Sequence, residues 1–185
     1  MLDIWSRLDA LGPVPRPKHA KAAVLVPLYR DAGDVVRVIL TKRPGHMRTH
    51  PGDVVFPGGR MEDGEAPEDT ARREACEEVG LPEDAVHVVG GLTPVTTRDP
   101  RNLIVPVVAR VERPETLSPD EREVELIIEP AVSDLLDDDK WSSSKWFGRT
   151  MWFYEFEEGV MWGATGFMMR EFIGHLRAES DRAGL

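Results

Sequence analysis

Arg73, Glu74, Glu77 and Glu78, close together in mid-chain, have the types and spacing that metal or phosphate chemistry needs. On a helical wheel at about 100° per residue, with Glu74 at zero, Glu77 falls near −60° and Glu78 near +40°, so three carboxylates share one face. Ala71, Ala75 and Val79 fall between about 60° and 140°, which predicts a buried stripe beside the acidic face. Glu74 and Glu78, alike in sign and four apart, repel by about 0.2 to 0.5 kcal/mol in an isolated helix unless a cation relieves them. Arg73, four residues before Glu77, supplies part of that relief. In most helices such a face is a solvated surface with one salt bridge. What precedes this one changes the reading: Phe56-Pro57-Gly58-Gly59-Arg60 is a glycine-bearing turn whose backbone carbonyls can complete an oxygen-only ligand set for Mg²⁺ or Mn²⁺.

The helix that must carry these groups is predicted over residues 67–79. Pro67 suits a first turn, Glu68 and Asp69 complement the helix dipole there, and Gly80 is a natural stop, so both ends are expected to be capped. Ahead of it, β-branched runs at 22–29 and 35–41, separated by residues 30–34, read as a hairpin or two neighbouring strands. Residues 44–64 form a loop rich in glycine, proline and charge, with one short strand-like run at 54–56. Further strands are predicted at 86–97, 103–111 and 150–156, a short helix at 131–136, and a last helix at 164–178 with Met168, Phe172 and Leu176 on one face. The order predicts an α/β (α+β) fold with a mixed β-sheet between helices. Residues 1–21, a short amphipathic segment followed by a proline-rich basic stretch, are expected to be a surface arm; 22–178 form the domain and 179–185 a tail.

Length and charge bound the function. A chain of 185 residues makes one domain. Its 23 basic and 33 acidic side chains give a net charge of −10, which disfavours nucleic acid and anionic membranes as partners. The longest apolar run, 22–29, is broken by Pro27 and falls far short of the ~20 residues of a spanning helix. With a single cysteine and no signal-peptide pattern, the chain is expected to be cytoplasmic. A homodimer is expected on general grounds.

The string from Gly59 through Glu65, Arg73-Glu74-Ala75, Glu77-Glu78 and Gly80-Leu81 resembles the Nudix box, GX5EX7REUXEEXGU, in every specified position except the small Ala75. A chance match in one chain is on the order of one in a million. Upstream, Ile39-Leu40-Thr41-Lys42-Arg43, then Arg48, Gly52 and Phe56-Pro57-Gly58-Gly59, is similar to the motif that precedes the box in coenzyme A pyrophosphatases, LLTXR(S/A)X3RX3GX3FPGG. Ile39 and Pro44 depart from it, and Pro44 removes an N–H that a phosphate would meet. Trp162-Gly163-Ala164-Thr165-Gly166, Glu123-Val124 and Glu129-Pro130 extend the likeness to the same subgroup.

The resemblance implies a Nudix fold and metal-dependent hydrolysis of the diphosphate of coenzyme A or its derivatives, giving 4′-phosphopantetheine and adenosine 3′,5′-bisphosphate. It implies that Glu74, Glu77, Glu78 and the Gly58 carbonyl bind Mg²⁺ or Mn²⁺, with Glu77 and Glu78 at the centre of catalysis and Arg73 orienting the carboxylates. Glu65 is expected to be structural or to support the metal-binding carboxylates from behind, and a general base outside the box is assigned first to Glu123, then to Glu125. Lys42, Arg43 and Arg48 place three cations beside the turn in an acidic protein, and guanidinium groups grip phosphates bidentately, so these are the expected substrate contacts. The alternatives are a Nudix pyrophosphatase for ADP-ribose, dinucleotides or nucleoside triphosphates, and a non-catalytic module that binds coenzyme A or a nucleotide. Other residues read plainly: Cys76 as buried and apolar, His46 and His50 as no zinc pair, Asp137-Asp138-Asp139 as a solvated loop, and the tryptophans as core or interface with one free to stack on adenine.

Overall fold

The computed structural model describes residues 4–96, 102–146 and 148–182. Its central strand is β1 (Ala20–Arg30), which runs parallel to β8 (Leu103–Val111) through the middle of a mixed sheet. β2 (Val36–Val38) and β5 (Gly58–Arg60) both pair antiparallel with β1, at its two ends. β6 (Val86–Gly91) and β7 (Val95–Thr96) pair antiparallel with β8. The predicted strand over 86–97 is thus two strands, and Thr97 lies outside the described residues.

Alternation along β1 sorts its side chains onto two cores. Ala23 and Leu25 pack with Ala71, Ala75 and Val79 of α2 (Pro67–Val79), whereas Val26 and Leu28 face Met168, Phe172 and Ile173 of α4 (Gly163–Arg182). The sheet therefore lies between two helices, as the element order predicts.

The expected hairpin partner of β1 divides at Ile39. Pro27 has no N–H to give back to Ile39, so the ladder stops after Leu28 and Val38, and Ile39 donates to the Pro27 carbonyl at 3.0 Å. The chain then turns into a second sheet, where β3 (Leu40–Lys42) lies between β4 (Val54–Val55) and β9 (Leu126–Ile128). A third sheet joins β10 (Trp141–Trp146), β11 (Arg149–Glu155) and β12 (Val160–Met161). β9, β10 and β12 were not expected. β10 reads Trp-Ser-Ser-Ser-Lys-Trp, with no apolar alternation, and its six register pairs with β11 supply the order that its composition does not.

Two further expectations are corrected, and a third, the solvated aspartate loop, gains partners. α1 (Ile4–Leu8) is not part of a surface arm, because Leu8 is 1% exposed in the core; the stretch after it lies on the surface, where Gly91 donates to the Gly12 carbonyl at 3.1 Å. Leu2, part of that expected segment, lies outside the described residues. The aspartates at 137–139 are exposed but engaged: Asp138 meets Arg170 at 2.6 Å and Arg177 at 2.9 Å, so the loop clamps α4. Cys76 is exposed, because the buried arc of α2 runs from Thr70 through Glu78, Ala75 and Val79, and the side opposite the acidic face is therefore solvent. A short helix, α3 (Val132–Leu135), follows β9. Among the described residues no helix is long and apolar enough to cross a membrane.

Truncating Phe172, fully buried on α4, is expected to cost about 3–5 kcal/mol. Urea unfolding of Phe172→Ala measures it, and a loss under 1 kcal/mol, on the order of a surface substitution, would show that α4 does not anchor this core.

Candidate active site

α2 has the bounds its sequence signals predict, although its N-terminus lacks one expected cap. The N-cap residue is Ala66, whose side chain offers no hydrogen bond, and Pro67 instead removes one of the unpaired N–H groups. At the other end Gly80 adopts φ 70°, a left-handed conformation that glycine takes without strain. The Ser118 and Asp120 N–H groups then cap the Val79 and Glu78 carbonyls, both at 2.9 Å. This second cap holds the loop carrying Glu123 against the acidic end of the helix.

The glycines of the preceding turn are fixed by space. Gly58 lies against β1, where a Cβ would stand 2.5 Å from the Ala23 carbonyl oxygen. At Gly59 a Cβ would fall 2.4 Å from a carboxylate oxygen of Glu74. Backbone and helix therefore approach closely enough for the Gly58 N–H to donate to Glu78 Oε2 at 3.0 Å. Glu78 is only 6% exposed, and burial pushes its carboxyl up to about 8, assisted by repulsion from Glu74 and Glu123 and opposed by the Gly58 N–H and by Arg43. Burial also raises Glu74, against the pull of Arg73 and with repulsion from Glu77 and Glu123 adding to it.

Arg73 is the organiser of the acidic face. Its Nε meets Glu65 at 3.0 Å, one terminal nitrogen reaches Glu74 at 2.8 Å and Glu77 at 3.3 Å, and the other donates to the Arg60 carbonyl at 2.9 Å. Glu65 also accepts from Thr70 Oγ1 at 2.7 Å and from the Glu62 N–H, and its bonds with Arg73 hold it down to about 2. Glu65 thus ties the turn to the helix through Arg73, the structural part expected of it.

The structure brings together Glu74, Glu78, Gly58, Arg73, Glu123 and Arg43, the last two close enough to act on the Glu78 charge. Glu77 is 60% exposed and drawn toward Arg73 rather than inward. Among the described residues no three histidine, cysteine or acidic side chains converge tightly enough to hold an ion as they stand. The donor chemistry nonetheless fits a hard divalent cation: oxygen-only groups, two of them raised by burial and by repulsion from neighbouring carboxylates, which a bound cation would offset.

The three upstream cations differ in placement. Lys42 Nζ is paired with Glu125 at 2.7 Å, and the Glu125 N–H returns a bond to the Lys42 carbonyl at 2.8 Å. That pair occupies both Lys42 and the second-choice base, a pairing across 83 residues that local spacing does not signal. Arg48 is exposed on the loop, and His50 binds Asp53 at 3.0 Å. Glu129 was legible only as part of the resemblance; it receives the Tyr29 hydroxyl at 2.8 Å and Arg113 at 2.6 Å, joining β9 to β1.

A mixed sheet between helices, with a glycine turn delivered onto a carboxylate-bearing helix, is the frame of one family. The NUDIX domain family matches residues 18–147, and the chain belongs to it. Its relatives include the peroxisomal coenzyme A diphosphatase of Caenorhabditis elegans, 39% identical over 140 residues that cover 74% of this chain and 60% of that protein. The Nudix hydrolase NudL of Enterobacter is 32% identical over 181 residues, 91% of each chain. In three dimensions the chain resembles the MutT protein of Methanosarcina mazei, with a TM-score of 0.56 and 14% identity over 89% of this chain and 99% of the other. The Nudix hydrolase RenU of M. smegmatis superposes with a TM-score of 0.54 and 24% identity over 63% of this chain and 73% of the other. Nudix hydrolases generally need a divalent metal such as Mg²⁺ or Mn²⁺.

The raised Glu78 carboxyl carries a stability signature. Because the folded state holds this proton up to about 8, against an ordinary carboxyl value of 4.5, the group favours folding fully below pH 4.5 and progressively less as pH rises toward about 8. Chelator-treated protein is expected to lose stability across that window, with a shallower loss in Glu78→Gln; identical slopes in urea unfolding would contradict it. Glu65 acts in a separate window, since its contribution is complete above pH 4.5 and is lost as pH falls toward about 2.

Proposed function

We propose that this chain is a hydrolase that cleaves the diphosphate bond of coenzyme A or its derivatives, releasing 4′-phosphopantetheine and adenosine 3′,5′-bisphosphate. The observation that carries the reading is the placement of Arg43, the arginine of the upstream motif, within electrostatic reach of the buried Glu78 of the box. The likeness to a coenzyme A diphosphatase supports the same substrate. A small nucleotide diphosphate also suits a chain of net charge −10 better than a nucleic acid does.

In this reading Glu74, Glu77, Glu78 and the Gly58 carbonyl hold Mg²⁺ or Mn²⁺. When bound, the ion offsets charge gathering on the phosphoryl oxygens and acidifies a water. The remaining work belongs to the chain. Arg73, itself anchored by Glu65, holds Glu74 in a constant orientation and keeps Glu77 within reach of the site. Glu123, on the loop capped to α2, accepts the proton of the attacking water at a carboxylate oxygen. Arg43 and Arg48 grip the substrate phosphates, and Lys42 acts beside them from its pair with Glu125. Water adds to one phosphorus, the bridging oxygen leaves with the other phosphate, and two phosphomonoesters result.

A mass-resolved assay with Mg²⁺ or Mn²⁺ is expected to yield both products from coenzyme A, and a chelator to abolish them. Cleavage of ADP-ribose with coenzyme A untouched would overturn the substrate assignment. Glu78→Gln is expected to lower kcat on the order of 100-fold. Arg43→Ala is expected to raise the coenzyme A KM about tenfold or more, the worth of a charge-assisted phosphate contact; an unchanged KM would remove Arg43 from the substrate site.

A further inference from the structure

Four aromatic rings gather on the outer side of the third sheet, away from the core. Phe153 and Trp162 are stacked, with centroids 6.1 Å apart and planes within 8° of parallel. Trp146 meets Trp162 edge-on at 5.9 Å, and His50 tilts against the same indole at 6.3 Å. Register explains why these rings are not core. Trp141 and Tyr154 are opposite one another on the inward face, so Phe153, paired with Ser142, and Trp146, paired with Arg149, fall on the other face. Trp146 is 42% exposed, and the rest of β10 after Trp141 is exposed too.

This wall is fastened to the loop that bears the upstream cations. Asp53 forms a parallel bridge with Val160, its carbonyl accepts the Arg43 N–H at 2.9 Å, and its side chain holds His50 at 3.0 Å. One loop therefore carries Arg43 toward Glu78 at one end and His50 against Trp162 at the other.

Resting on the substrate reading above, we propose that the Trp146–Phe153–Trp162 wall seats the purine base of the substrate while Arg43 and Arg48 hold its phosphates. An aromatic wall, exposed at Trp146 and half-buried at Phe153 and Trp162, fastened to the loop that carries Arg43 and Arg48 can combine stacking with phosphate neutralisation, which is the chemistry that retains a nucleotide. An acyl or pantetheine chain calls for an enclosed apolar groove, whereas this wall is open and flanked by exposed Ser142, Ser144 and Arg149.

Calorimetric titration in Mg²⁺ tests the assignment, with adenosine 3′,5′-bisphosphate and 4′-phosphopantetheine as separate probes. Trp162→Ala is expected to weaken the adenosine probe about tenfold and to leave the pantetheine probe unchanged, while Trp162→Phe restores most of the affinity. Trp146→Ala, at an exposed position, is expected to act in the same direction and does not depend on Trp162 being dispensable for folding. In turnover both alanine variants are expected to raise KM with kcat within about twofold, as a contact made equally in ground and transition state requires. Unchanged adenosine affinity in both alanine variants overturns the proposal. So does a loss confined to the pantetheine probe, or a change only in sedimentation, which would give the wall to a second copy of the chain. Should the wild type cleave ADP-ribose and not coenzyme A, the substrate reading fails on its own, and the wall is tested by the same variants through the KM for ADP-ribose, which also carries adenine.

Discussion

A carboxylate withdrawn from water beside other carboxylates is an unfavourable arrangement unless a proton or a cation joins it. Glu78 is held in that state by the close approach of the Gly58 turn to α2, and the local architecture follows from it. The turn reaches the helix because β5 pairs with β1 and because neither Gly58 nor Gly59 has a Cβ to meet the strand or Glu74. The helix stays in place because Ala71, Ala75 and Val79 fill the groove above β1 and β8 with small side chains, which let the backbone approach. Ala75, the one departure from the box pattern, belongs to this packing, and its side chain takes no part in the polar contacts.

Around that strained charge the remaining groups are arranged by longer connections. Arg73 spans Glu65, Glu74, Glu77 and the Arg60 carbonyl, so the acidic face is rigid where it meets the turn and open at Glu77. The cap of Ser118 and Asp120 on α2 carries Glu123 to one side, and the pair of Lys42 with Glu125 binds this segment to the cation loop on the other. The third sheet enters through the bridge between Asp53 and Val160, which joins the C-terminal aromatic region to the same loop.

The legible parts of this structure were those written in local spacing. Pro67, Gly80 and the alanine stripe delimit α2 correctly, and the helical wheel brings Glu74 and Glu78 to one side as found. The wheel also held the answer for Cys76, since a buried stripe lying beside the acidic face leaves the far side to solvent. Contacts across long stretches of chain were not legible. Nothing near Lys42 announces Glu125, and nothing in three consecutive serines announces β10, whose order comes from its neighbour. Leu8 looked like part of an arm because its burial depends on α4, more than 150 residues away in sequence.

On the proposed function, this carboxylate cluster is held for a divalent cation. Anomalous scattering from crystals soaked in Mn²⁺ tests it most directly. A manganese peak is expected with oxygens of Glu74 and Glu78 and the Gly58 carbonyl at about 2.0 to 2.6 Å, with Glu77 swung in from Arg73. Manganese found only elsewhere on the chain, with Glu78 still bonded to the Gly58 N–H, would contradict it.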